Sequence, residues 1–278
     1  PADVKLVLLV RPFQVNPWYQ FLNLTGGTGK VNRVEEIVKG RQLKIDSKTL
    51  SLTRPYSRYT TAAFRQGNLA EIVRSAAWSP ATTLIDPDHL GQAAMEFSFS
   101  LRPDEVEELF ATVPYHTIDS PAQLPDNETM AEAFDRASEF WASKVGHIDF
   151  KLPPQARPII DTWLSNLIYI LINRDMAGIQ PGSRSYERSW IRDGSLTSSA
   201  LLKSGITQEV KDFIRWYAPY QYENGKVPCV VDFRGPDPVP EHDSHGQLIY
   251  LIREYFNFTG DTAFLNEMNP YVLNAVSY

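Results

Sequence analysis

The feature that most constrains this chain is a change of hydrophobic period near Pro125. Before it, apolar residues recur at every second position. After it, they recur every three to four. A strand buries alternate residues and a helix buries one stripe, so no single layer satisfies both patterns. The chain must hold a β-rich part and an α-rich part, and 278 residues suffice for both.

In the first part, "VKLVLLVRPF" is an apolar run that Pro12 ends. In "RQLKIDSKTLSLT", Leu43, Ile45, Leu50 and Leu52 alternate around a polar Asp46-Ser47-Lys48 turn, which predicts a hairpin. Met95, Phe97, Phe99 and Leu101 alternate again. With frequent Gly and Pro between the runs, the pattern predicts an antiparallel β-sandwich over residues 1–124. "DEVEELFATV" fits two readings: Val106, Leu109, Phe110 and Val113 suit a helix, while the neighbouring runs suggest a strand. "TGGTGK", from Thr25 to Lys30, misses the phosphate-loop spacing because Val31 follows the Lys, so it reads as a glycine-rich turn.

After Pro125, "ETMAEAFDRASEFWASKV" is an amphipathic helix with Met130, Phe134, Ala137 and Trp141 on one face. It makes 125–154 a helical linker that the stiff "LPPQARP" closes. Five further helices follow over 155–278, and Pro270 is expected to kink or interrupt the last. The connections "SGIT" and "FTGD" are tight, each with a Gly to stop one helix and a Thr or Asp to start the next. The connections over 175–192 and 219–243 are long. Antiparallel neighbours would bring both long loops to one end, where a site would be built.

A net charge of -6 without a Lys/Arg cluster gives no support for a nucleic-acid or anionic-membrane partner. The most apolar stretch, Ile159 to Ile172, is cut by Asp161, Ser165 and Asn166 and falls short of the roughly 20 residues of a span. Cys229 is the only cysteine, which excludes an internal disulfide and a multi-cysteine metal site. Asn23, Asn127 and Asn257 begin glycosylation triplets, which leave the compartment open with an extracytoplasmic one favoured. The start at Pro1 without a Met reads as a processed or cut-down chain.

The first long loop carries Tyr186, Glu187, Arg188, Trp190, Arg192 and Asp193. The second carries Tyr220, Tyr222, Asp232, Arg234, Asp237, Glu241, His242, Asp243 and His245. Aromatic faces cover the apolar side of a sugar ring, while Arg and carboxylates bind its hydroxyls. The mixture suits a neutral, hydroxyl-rich ligand with no cofactor and no metal. The spacing in "EHDSH" matches no zinc pattern, and no G-x-S-x-G elbow is present. Asp193 and Asp243 also read as helix N-caps, and for Asp243 capping and ligand contact stand equal.

"YERSWIRDGSL", "NGKVP" and "EHDSHGQLIYLIREYFNFTGD" together resemble the six-hairpin (α/α)6-barrel glycosidases, above all the glucoamylase-like glycoside hydrolases of family 15. The resemblance implies a β-sandwich, a helical linker and the first part of a twelve-helix toroid. It implies an enzyme that hydrolyses an oligosaccharide or glucan, α-linked, through two carboxylic acids. Arg192 and Asp193 would hold hydroxyls in the cleavage subsite, with Trp190 lining it and Tyr186, Asp243 and His245 completing the set. The general acid and base would lie further along than this chain reaches. A rhamnosidase-like variant would make Glu187 the acid, and Glu241 is the other acidic candidate. Two alternatives stay open, a non-catalytic carbohydrate-binding scaffold and an inverting disaccharide phosphorylase. The oligomeric state is open.

Overall fold

The computed structural model describes residues 1–16, 27–79, 81–114, 124–182 and 186–278. The triplet at Asn23 and the Thr25-Gly26 start of "TGGTGK" lie outside the described residues. The chain divides into two compact units whose boundary falls between Ala137 and Ser138.

The first unit holds β1 (Ala2–Val10), β2 (Gln14–Asn16), β3 (Gly27–Thr28), β4 (Arg33–Val38), β5 (Gln42–Ile45), β6 (Lys48–Leu52) and β7 (Arg58–Ala62). A short helix α1 (Leu69–Arg74), β8 (Thr83–Ile85), β9 (Gln92–Leu101) and β10 (Ala111–Thr112) follow. One antiparallel sheet runs β1-β9-β7 and the other β10-β6-β5-β4-β8, while β2 pairs with β3. Alternation puts Val34, Leu43, Leu50 and Leu52 of the second sheet into one core with Ala93, Met95 and Phe97 of the first. The expected hairpin is β5–β6, in register from Gln42↔Ser51 to Ile45↔Lys48. Its turn uses Asp46 at φ +50°, a conformation that Asp tolerates. "DEVEELFATV" is neither alternative as a whole: only Ala111–Thr112 joins a sheet.

α2 (Asn127–Val145) crosses the unit boundary, and none of its residues is buried. The expected apolar face is there in sequence, yet Phe134 is 69% exposed. Only its last turns, through Trp141 and Val145, pack on the core of the second unit.

The second unit continues with α3 (Arg157–Ile172), β11 (Ser189–Trp190), α4 (Ile191–Lys203) and α5 (Gln208–Tyr217). It ends with β12 (Val230–Asp232), β13 (Gly235–Pro236), α6 (Ser244–Thr259) and α7 (Thr262–Ser277). Leu167 of α3, Leu201 of α4, Phe213 of α5, Leu251 of α6 and Phe264 of α7 share one core. Contacts between α4 and α6 keep a constant offset. Arg192 meets Asp243, Ser195 meets Gln247 and Ser199 meets Tyr250, at separations of 51, 52 and 51 residues. Such an offset means that the two helices run parallel. The ion pairs Lys211–Asp261 and Arg215–Glu267 make α5 and α7 parallel in the same way. The unit is a helix hairpin followed by its repeat, with the tight connections at one end and the long ones at the other. Gly194 lets α4 and α5 approach: a Cβ there would sit 2.4 Å from the buried Phe213 ring.

Pro270 does not interrupt the last helix, which runs through it to Ser277. Phe264, Met268 and Ala275 are buried on both sides of the proline, and Pro270 itself is exposed. The core contacts hold both halves on one face, and the carbonyl that the proline leaves unbonded is on the solvent side.

Candidate functional site

The two long loops of the second unit come together as their connections predict. Ser189 and Trp190 pair with Val231 and Val230, and β12 folds back onto β13. The Ile191 N–H donates to the Cys229 carbonyl at 3.0 Å. The residues entering α4 are thus clamped to the second loop before the helix begins.

α4 begins three residues earlier than a cap at Asp193 would set it. Trp190, extended, occupies the cap position, so Arg192 and Asp193 lie inside the first turn. This corrects the N-cap reading of Asp193. Asp243 does stand at the cap position of α6, but its side chain makes no capping bond. It accepts from Arg192 Nη1 at 3.3 Å instead, beside Glu241, which accepts from the same atom at 2.7 Å. The hydrogen bond to Glu241 is the main cause that holds the Arg192 guanidinium above its ordinary value. Asp193 is half-buried, and its carboxylate has no hydrogen bond or ion pair among the described residues. The positive end of the α4 dipole favours that charge.

Tyr186, 54% exposed, lies 6.0 Å from the Trp190 ring between centroids. Arg188, only 4% exposed, runs beneath Trp190 with its guanidinium carbon 5.6 Å from the ring centre. Its Nε donates to Asp232 at 2.7 Å and its Nη2 to Asp237 at 3.0 Å. Arg234 binds the same Asp232 from the other side. Burial pushes the Asp232 carboxyl up, but the hydrogen bonds from Arg234 and Arg188 outweigh it and leave it below the usual carboxylate range. Asp237 is also lowered, first by the Val239 backbone N–H and then by Arg188. Four charges in balance therefore staple the first loop to the second.

The remaining candidates sit differently. His245 stacks on Tyr278 at 4.7 Å, and its Nε2 accepts from the Val227 N–H at 3.2 Å. Burial lowers its pKa, and the ring serves the loop. Glu187 is exposed and borders a cleft on the far side of the β11–β13 ribbon. His242 is exposed. The Cys229 thiol is buried, and burial pushes its pKa up, which is the opposite of an activated nucleophile. Among the described residues no group of three or more His, Cys, Asp or Glu is placed to hold a metal ion. No described helix is long and apolar enough to cross a membrane.

Sequence reasoning missed the ribbon, because strands of two and three residues carry no period. It also missed Gln247 and Tyr250, which lock α6 against α4 through Ser195 and Ser199. What the mouth offers chemically is one guanidinium among three carboxylates, of which Asp193 has no hydrogen bond or ion pair among the described residues. That balance disfavours an anionic ligand and suits hydroxyl donors.

No protein-family model matches the chain, and no curated protein sequence matches it. Among solved structures the chain is similar in fold to one that aligns over 98% of it with a TM-score of 0.55. The neighbour is a bacterial glucoamylase whose crystal structure was determined in complex with acarbose. The identity is 10%, so the likeness is one of fold, and the chain spans 49% of that neighbour's length.

Proposed function

We propose that this chain is part of a glycoside hydrolase that acts on an α-linked oligosaccharide or glucan. In this reading residues 1–124 are a β-sandwich, residues 125–154 are a helical linker, and 155–278 are the first part of an (α/α)6 toroid of the glucoamylase-like kind. The observation that carries it is Asp193: a half-buried carboxylate, held rigidly in the first turn of α4 and without a protein partner among the described residues. Asp193 and Arg192 hold sugar hydroxyls, and Trp190 and Tyr186 cover the apolar face of the ring. Asp243 acts through Arg192, and His245 acts through the Val227 backbone. The fold likeness to a glucoamylase seen with acarbose supports the substrate class. The phosphorylase reading loses ground, since three carboxylates surround the one guanidinium at the mouth.

Hydrolysis needs a proton donor and a base across the bond. Here Glu241 is engaged by Arg192, and Glu187 lies across the ribbon, so this chain by itself binds sugar and leaves aryl glycosides and maltooligosaccharides uncleaved. Robust turnover by the purified chain would instead make Glu187 or Glu241 the acid. The central test is Asp193→Asn, with maltotriose affinity by calorimetry beside thermal melting. A charged hydrogen bond is worth about 1.5–3 kcal/mol, so binding falls roughly ten- to a hundredfold. Stability changes by less than about 1 kcal/mol, the helix-dipole contribution of one first-turn carboxylate. Affinity within twofold of the parent refutes the reading.

A further inference from the structure

The β11–β13 ribbon has two faces. Trp190 and Val230 lie on one. Their neighbours Ser189 and Val231 point the other way and line a cleft of about 620 Å³ between the ribbon, the end of α5 and the 175–180 turn. That volume falls within the roughly 300–1,000 Å³ of small-molecule sites. The cleft wall is aromatic and prearranged. Trp216 makes edge contacts with Tyr217 at 6.0 Å and Tyr220 at 5.4 Å, and Phe233 stands at the rim, 88% exposed. Gly178 keeps the floor open: a Cβ there would sit 2.7 Å from Ser189 Oγ and 3.2 Å from the Trp216 ring.

The polar groups decide the ligand. Asp232 on the wall is already neutralised by Arg188 and Arg234. Three neutral side-chain groups of the lining have no hydrogen-bond partner among the described residues, the Gln180 amide, the Ser189 hydroxyl and the Tyr220 hydroxyl, and Asp175 adds a buried Oδ1 acceptor without a hydrogen bond. Neutral donors and acceptors beside exposed aromatic faces match a polyhydroxylated ring, whereas an anion would meet Glu187 and Asp175 at the border.

We propose that this cleft is a second carbohydrate site, separate from the mouth at Arg192 and Asp193, which takes a further ring of the same oligosaccharide class. Its ligand class rests on the proposed function above. The rings of Trp216 and Phe233 cover apolar sugar faces, and Gln180, Ser189 and Tyr220 bind hydroxyls. Two sites on opposite faces of one ribbon would let a long glucan be held while a chain end is presented at the mouth.

The test is calorimetric titration of the chain with maltotriose and, separately, with choline. Three cleft variants and one mouth variant are compared with the parent. Phe233→Ala alters an exposed side chain, Gln180→Leu and Tyr220→Phe each remove one unpartnered polar group, and Asp193→Asn addresses the mouth. The expected result is two maltotriose sites. Phe233→Ala weakens one of them tenfold or more. Gln180→Leu and Tyr220→Phe weaken the same one about two- to tenfold. Asp193→Asn weakens only the other. A single site that is insensitive to the cleft variants and lost in Asp193→Asn overturns the second site and spares the mouth. A single site with the reverse pattern supports the cleft and removes the mouth reading. No maltotriose binding, or a preference for choline, overturns the second site.

Discussion

Each unit of this protein buries an aspartate, and the two are satisfied in different ways. Asp86, in the first unit, accepts three backbone N–H groups: Asp88 at 3.0 Å and Leu90 at 3.3 Å from its own turn, and Phe64 at 2.9 Å from 22 residues earlier. Asp232, in the second, is held by Arg188 from another loop and by Arg234. Both carboxyls end below the usual range although burial pushes each the other way. Backbone amides satisfy the Asp86 carboxylate without any side-chain charge. An arginine carried by a different segment ties the positions of two segments together. The comparison teaches that a buried charge informs about function chiefly when its partner is remote in sequence. The loops around Trp190 meet that condition, as does the Lys144–Glu209 pair that joins the end of α2 to α5.

The comparison breaks most readily at Arg188. Arg188→Met removes one side of a buried ion network and leaves Asp232 and Asp237 short of a partner. The expected loss of stability in the second unit is about 3–5 kcal/mol, read by denaturant unfolding with near-UV circular dichroism. A loss below 1 kcal/mol would mean that the network is ornamental. Asp86→Asn sharpens the other side. It keeps an acceptor but gives up the charge, costs about 1–3 kcal/mol, and leaves maltotriose binding unchanged.

Acid separates the carboxylates from the histidine. Asp232 and Asp237 have lowered folded pKa values, so their contribution is complete above their unfolded value near pH 4 and is lost as the pH falls through the folded values. The near-UV signal should hold down to about pH 4 and collapse below it. The smallest expected effect belongs to His245. Its folded pKa is also lowered, because burial disfavours the charged ring. Its contribution is complete above about pH 6.5 and declines as the pH drops below that. Melting temperature should therefore fall between about pH 6.5 and 5 in the parent and stay flatter in His245→Gln; equal slopes would remove His245 from the account.

Legibility followed distance along the chain. The β5–β6 hairpin could be read because both strands and the Asp46-Ser47 turn lie within a few residues. The start of α6 could be placed at its cap, but the start of α4 was three residues off, since Asp193 and Asp243 look alike as caps. One lies inside its helix and the other gives its carboxylate to Arg192. The stripe of α2 was legible but its burial was not, because periodicity marks a face without saying what covers it. The site was legible as a set of residues on two loops. Their ion pairs were not, as nothing local links Arg188 to residues 44 and 49 positions away.

The parallel pairing of α4 with α6 and of α5 with α7 bears on how such a protein can change over time. The tight turns after α4 and α6 fix the step from one hairpin to the next, so an insertion there would shift every downstream contact by the same amount. The long connections at the opposite end are under no such restraint. They can lengthen, shorten or exchange residues while the helical lattice keeps its registry. Residues of the ribbon and its flanks can therefore change without a refolding penalty elsewhere, and sequence variation should collect at that end.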